Sequence, residues 1–207
     1  MELKLFGRKI NKIPLVLFLI TILYTSGLFL APLTLEPGTV EGLEGHANML
    51  DFQEKWQELP VYHRVIYTFS DFNCHQKYYR SYYINGNQMP VCARDVGIFS
   101  GLSLGLFVMM FVGSERDYKD ILLKLLPMKM NLSNSQKSYL LVFLGALFVL
   151  PMALDGGIQL VTAYESTNLM RVLTGLIFGF GFSAFISAIL LSAEVEITET
   201  RESRAER

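Results

Sequence analysis

The sequence predicts an all-α integral membrane protein with four transmembrane helices, and with amphipathic helices and a short hairpin in the loop between the first two spans. Hydrophobic residues make up 51% of its 207 positions. Three runs of about twenty residues or more are nearly free of charge, each long enough to cross a bilayer. Small residues also recur at four-residue spacing in two expected spans, which suits close helix packing. Residues 1–207 therefore read as one membrane domain and not as a soluble globule. A formal net charge of −1 leaves no clustered basic face for nucleic acid. No glycine-rich phosphate loop, dinucleotide fingerprint or Gly-x-Ser-x-Gly elbow is present, so nothing points to an ATP-driven machine.

The first span, residues 13–33, follows Lys4, Arg8, Lys9 and Lys12 and ends around Pro32. Its apolar stretch is long and no Ala-x-Ala site closes it, so we read an uncleaved helix; cleavage as a signal peptide would leave three spans. Residues 34–93 form the expected outer loop, which opens with an acidic segment at Glu36-Pro37-Gly38. Over about 47–59, Met49, Phe52, Trp56 and Leu59 share one helical face. Two placements are open for this segment: along the membrane surface, or as a short helix packed on the domain. Pro60 can start the next helix. There Val61, Tyr62, Val65, Ile66, Phe69 and Phe72 form a stripe on a helix expected to sink partly into the domain, with His63 off the stripe at the surface. Tyr78, Tyr79, Tyr82 and Tyr83 around Arg80 suit a membrane–water boundary. Asn85-Gly86 favours the positive φ angles of a two-residue turn, so residues 81–84 and 87–91 are expected to pair.

The second span is placed at residues 94–113, the third at 138–163 and the fourth at 169–191. A cytoplasmic loop is expected over 114–137, with an amphipathic piece at about 118–126, and a solvated, frayed helical tail over 193–207. Gly97, Gly101 and Gly105 should pack against Gly175, Gly179, Ser183 and Ser187. The third span contains Pro151 and puts Asp155, Gln159 and Thr162 on one stripe. An ionisable residue within a span is costly and points to function by default. Pairing of Asp155 with Arg94 or Arg171 is the structural alternative. Glu165-Ser166-Thr167-Asn168 can cap the fourth helix, and Arg171 faces the same side as Thr174.

Both cysteines lie within Asn73–Gly101, which we take as the functional centre. Cys74, His75, Cys92 and Asp95 are all metal-binding types, and Zn²⁺ accepts sulfur, imidazole and carboxylate together. Cys92 and Asp95, three apart, share a helix face. A hairpin that brought Cys74 and Cys92 together would serve a disulfide equally well. Adjacent residues in an extended segment point to opposite sides, so Cys74 and His75 cannot both ligate easily.

Cys74-His75-Gln76, Arg80-Ser81, Gly86, Pro90-Val91-Cys92-Ala93-Arg94, Gly97-Ile98 and Gly101 make one block. Asp155-Gly156-Gly157-Ile158-Gln159, Glu165-Ser166-Thr167-Asn168, Arg171 and Thr174-Gly175 make another. Together they resemble the signature of a family of small prokaryotic membrane proteins known only as a domain of unknown function. In that family a cysteine often stands where this chain has Asp95, which implies replacement of a thiolate ligand by a carboxylate. The resemblance implies no activity.

Twelve of the eighteen basic residues fall at the N-terminus, between spans two and three, or in the tail. By the positive-inside rule both termini of this cell-membrane protein would be cytoplasmic, and both blocks would meet on the outer face. Three functional classes follow. The first is a zinc-dependent membrane enzyme acting on a lipid or lipid-linked substrate, with Cys74, Cys92 and Asp95 as ligands, and His75 as a ligand or beside one. Asp155 would be its general base next to Gln159, and Arg80, Arg94 or Arg171 would hold an anionic headgroup. The second is a transporter or binding protein whose cavity is lined by Asp155, Gln159, Glu165 and Arg171, and whose few spans would require a homo-oligomer. The third is an accessory protein whose outer loop is held by a Cys74–Cys92 disulfide.

Overall fold

The computed structural model describes residues 4–5, 8–126 and 131–205. Residues 127–130 of the expected 114–137 loop and 206–207 of the expected tail lie outside the described residues. Lys4–Leu5 (β1) pairs antiparallel with Arg8–Lys9 (β2) ahead of helix α1, Lys12–Thr34. Two short helices follow, α2 (Gln53–Gln57) and α3 (Val61–Asn73), and then a 3₁₀ turn at Tyr78–Arg80. Tyr83–Ile84 (β3) pairs antiparallel with Asn87–Gln88 (β4) about Asn85 and Gly86, both of which have positive φ. The chain ends with α4 (Ala93–Met109), α5 (Tyr118–Leu123), α6 (Asn134–Val161) and α7 (Asn168–Ala205).

Among the described residues, three helices are long and apolar enough to cross a membrane: α1, α6 and α7. The sequence expectation is four. Its second span, 94–113, is the shorter α4, whose 17 residues reach about 25 Å. Asn11 helps to stop it there. Its backbone N–H donates to Met110 O at 2.9 Å, and its Nδ2 donates to Val112 O at 2.5 Å, satisfying carbonyls that helix continuation would otherwise use. The same contacts set α4 antiparallel to α1, since the far end of α4 packs Val96 against Leu28 and Leu35. The fourth expected span, 169–191, and the described part of the expected helical tail form one continuous helix, α7.

The close helix contact is the small-residue seam between α4 and α7, which run in the same direction. A Cβ on Gly97 would lie 2.2 Å from Val172 O, and one on Gly101 2.2 Å from Leu176 O. From the other side, a Cβ on Gly175 would lie 2.3 Å from Arg94 O, and one on Gly179 2.2 Å from Ile98 O. No side chain fits these positions without moving a backbone. The seam thereby fixes the N-terminus of α4 beside that of α7.

Residues 35–92 fold over the C-terminal end of α1, around Trp56, Tyr67, Leu43 and Met89. The expected 47–59 helix is only α2, and of the two placements it takes the one packed on the domain. Trp56 is fully buried, and its Nε1 donates to Asp71 Oδ2 at 2.9 Å. The expected stripe on α3 is also reversed. Val61, Tyr62, Val65, Phe69 and Phe72 are exposed, whereas His63, Ser70 and Asp71 face inward with Ile66 and Tyr67. The inward polar groups have partners: His63 Nε2 bonds Thr34 Oγ1 at 2.9 Å, and Ser70 Oγ bonds Tyr24 OH at 2.9 Å. His63 is therefore a buried tie to α1 and not a surface residue. Polar groups inside with apolar groups outside suit a helix that has lipid around it.

Candidate functional site

The site forms where three chain segments meet. Cys74 is the C-cap of α3, in extended conformation, and Cys92 is the N-cap of α4, with Asp95 in its first turn. Two buried glutamines hold the segments that carry the cysteines. Gln76, at a φ of 46°, donates from Nε2 to Pro90 O at 2.6 Å, and Gln88 Nε2 donates to Gln76 O at 2.6 Å. Leu43 N–H and Tyr67 OH then donate to Gln88 Oε1 and O, at 2.9 and 2.8 Å.

This frame places ligand atoms of Cys74, Cys92 and Asp95 all within 4.8 Å of one another. Both cysteines are free thiols, and both are buried. Cys92 Sγ donates to Asp95 Oδ2 at 3.2 Å, while the N–H groups of Cys92 and Gln76 donate to Cys74 Sγ at 3.2 and 3.4 Å. Those two N–H groups would favour a thiolate. Without a cation, however, the hydrogen bond with Cys92, burial, and the nearby Cys92 and Asp95 charges push the Cys74 thiol well up. A divalent cation would reverse that balance, because its charge stabilises the deprotonated ligands it binds.

His75 is outside the group. Its Nδ1 accepts from Lys77 N–H at 3.1 Å, which occupies that nitrogen locally. Burial lowers its pKa, and the positive charges of Arg80, Lys77 and Arg171 add to this against an opposing Asp95.

The remaining predicted residues form two ion-pair clusters beside the thiols. Arg94 Nη2 donates to Asp155 Oδ2 at 2.6 Å, so α4 directs Asp95 toward the cysteines and Arg94 toward α6. Asp155 is the only residue of α6 that is buried. Arg80 donates from Nε and Nη2 to the two oxygens of Glu165, at 3.0 and 3.2 Å. Arg171 joins the same carboxylate through Nη2 and donates from Nη1 to Asn168 Oδ1 at 2.9 Å. Burial pushes Glu165 up, but the neighbouring Gln159 amide and the two guanidinium groups outweigh it and hold the carboxyl below its ordinary value. Gln159 Nε2 lies near Glu165 without completing a hydrogen bond of its own. Thr167 Oγ1 accepts from Met170 N–H at 3.3 Å, as expected of the capping turn.

Two residues that sequence reasoning did not single out frame the site: Asp71, which anchors Trp56, and Gln88. Neither has a spacing signal, because each matters through partners distant in the chain.

The ion pairs thus unite two sequence blocks some sixty to ninety residues apart. The family described as "Predicted membrane protein (DUF2085)" matches residues 74–185, from Cys74 to beyond Arg171. The chain belongs to this family. An uncharacterized protein of Methanocaldococcus jannaschii is 35% identical over 124 residues, which cover 60% of this chain and 67% of that one. An uncharacterized protein of Methanothermobacter thermautotrophicus is 30% identical over 116 residues, covering 56% of this chain and 86% of that one. No solved structure matches the chain. The protein is accordingly a membrane protein of the DUF2085 family.

Proposed function

We propose that this family member is a zinc-dependent membrane enzyme that acts on a lipid or lipid-linked substrate at the membrane boundary. The observation that carries the reading is the convergence of Cys74, Cys92 and Asp95. Two thiolates and a carboxylate form a three-ligand set of the kind that leaves a fourth position on zinc for water or substrate. Bound there, zinc would supply Lewis acidity and lower the pKa of a bound water. The protein's own residues supply the surroundings. Gln76 and Cys92 donate N–H groups to the Cys74 sulfur, and Arg94, Arg80 and Arg171 line the adjoining polar face. Asp155 is held by Arg94, so its use as a base requires a substrate anion to take over that guanidinium.

The site is assigned to the outer face. α4 runs antiparallel to α1 from the C-terminal end of that helix to Asn11, which supports it as a fourth crossing despite its length. The helix directions then alternate, both termini fall on the cytoplasmic side, and the basic residues follow the positive-inside rule.

Protein purified in detergent without added metal tests the reading, by elemental analysis and a count of free thiols under denaturing, non-reducing conditions. Near-stoichiometric zinc with two titratable thiols is expected. Zinc should be lost in Cys74→Ser, Cys92→Ser and Asp95→Asn, and retained in His75→Ala. Absence of metal together with absence of free thiols would replace the zinc site with a disulfide and overturn the proposal.

A further inference from the structure

A groove of about 450 Å³ runs between α6 and α7, with α5 at its base. Leu144 and Phe148 of α6, Phe178 and Phe182 of α7, and Leu122 and Leu125 from the α5 region carry its wall, which is overwhelmingly apolar. Its volume lies within the range of small-ligand sites, about 300–1,000 Å³. The α6 residues on it lie seven to fifteen positions from the start of that helix, about 10–22 Å along it. That depth falls inside a hydrocarbon core about 30 Å thick. An apolar gap at this depth forfeits dispersion contacts unless it is filled, and the available filler is an acyl chain. The gap matters to α6, which is held by Phe148 against Gly181 and Phe180 and by the Asp155–Arg94 pair.

Charge at the base of the groove selects the lipid. Residues 114–137 carry five basic and three acidic side chains. Lys124 Nζ pairs with Glu115 at 2.7 Å and Lys137 Nζ with Asp120 at 2.5 Å, whereas Lys119 Nζ meets a neutral acceptor, Asn134 Oδ1, at 2.8 Å. Lys119 lies three residues before Leu122 on the same short helix, so a basic side chain stands near the apolar base in sequence. Basic residues beside a membrane attract anionic headgroups.

We infer that the α6–α7 groove binds one acyl chain of an anionic phospholipid whose headgroup rests at Lys119. The site is distinct from the thiol–carboxylate group: Phe178 lies seven residues, about 10 Å, along α7 from Arg171. It depends on the membrane location of the helices and not on zinc. A seated chain completes the packing of α6 and so steadies Asp155 against Arg94.

The test uses full-length protein in phosphatidylcholine nanodiscs containing a small fraction of phosphatidylglycerol with a photoactivatable group on one acyl chain. Crosslinked peptides are mapped by mass spectrometry. Labelling is expected to concentrate on the segments carrying Phe148 and Phe178–Phe182, and to be competed by unlabelled phosphatidylglycerol but not by added phosphatidylcholine. Leu144→Trp and Gly145→Trp should each lose most of it; a Cβ on Gly145 meets nothing within 4 Å, so that variant can fill the groove without displacing a neighbour. Lys119→Glu should weaken competition by the anionic lipid. Melting temperature and zinc content, measured on the same samples, separate a folding defect or failure of the metal reading from loss of the groove. Labelling spread over the outer faces of α1 and α6, or unchanged in both tryptophan variants, overturns the groove site. Equal competition by phosphatidylcholine overturns the anionic headgroup.

Discussion

Gly101→Ala is the sharpest test of what sets the geometry of the site. The added Cβ would sit 2.2 Å from Leu176 O and 2.9 Å from Phe180 N, both main-chain atoms of α7 that cannot rotate aside. Ordinary contact begins near 3.4 Å, so α4 and α7 must part locally by about 1 Å. Overpacking of this kind costs about 1–3 kcal/mol. The strain acts two turns below Asp95 and is expected to move the N-terminus of α4, which carries Cys92, away from Cys74. Gly145→Ala is the matched control. Its Cβ meets nothing within 4 Å, and alanine is favoured over glycine in a helix interior by about 0.5–1 kcal/mol. Thermal unfolding in detergent, followed by the fluorescence of the single tryptophan, and the rate of thiol labelling at Cys92 provide the readouts. Gly101→Ala should melt several degrees lower and label faster, with Gly145→Ala at or above wild type. A Gly101→Ala protein that melts with wild type and protects Cys92 equally well would refute the close-contact argument.

Asp71→Ala should destabilise the 35–92 region by about 2–4 kcal/mol, because Trp56 Nε1 and Phe52 N–H both lose a charged acceptor; its check is a red-shifted Trp56 emission and a lower denaturant midpoint. Arg94→Gln alone should cost about 2–4 kcal/mol by leaving Asp155 unpaired in an apolar setting, and adding Asp155→Asn should recover most of it in a double-mutant cycle of melting temperatures. The depressed folded-state pKa of Glu165 gives stability that is present above its ordinary 4.5 and is lost as pH falls through the folded value. Wild-type melting temperature should therefore fall more steeply on acidification from about pH 5 to pH 3 than that of Glu165→Gln, and equal slopes would remove the carboxylate from the account.

Much of the bundle is legible because membrane burial writes itself into composition. Long uncharged runs mark α1, α6 and α7, and glycine at four-residue spacing marks the α4–α7 seam, since only missing side chains let two backbones approach that far. Cys74, Cys92 and Asp95 stood out as candidates for a related reason, as thiol and carboxylate side chains are among the few that can ligate zinc. Reading the face of α3 was harder. The apolar stripe was visible, but a periodic pattern does not say whether its surroundings are protein or lipid, and here His63, Ser70 and Asp71 turn inward to partners on α1 and α2. Hydropathy likewise could not place the end of α4, because Asn11, about a hundred residues earlier, caps it.

By itself, then, the sequence determined that the chain lies in a membrane, where its close helix seam runs, and which side chains can carry chemistry. Only the tertiary structure decided which of those side chains meet. It brought Cys74 beside Cys92 and Asp95 and left His75 outside that group. It also gave Asp155 to Arg94, and Glu165 to Arg80 and Arg171. The physical reason is that hydropathy and helical period act within one segment, whereas a ligand set or an ion pair depends on how segments far apart in the chain are packed together.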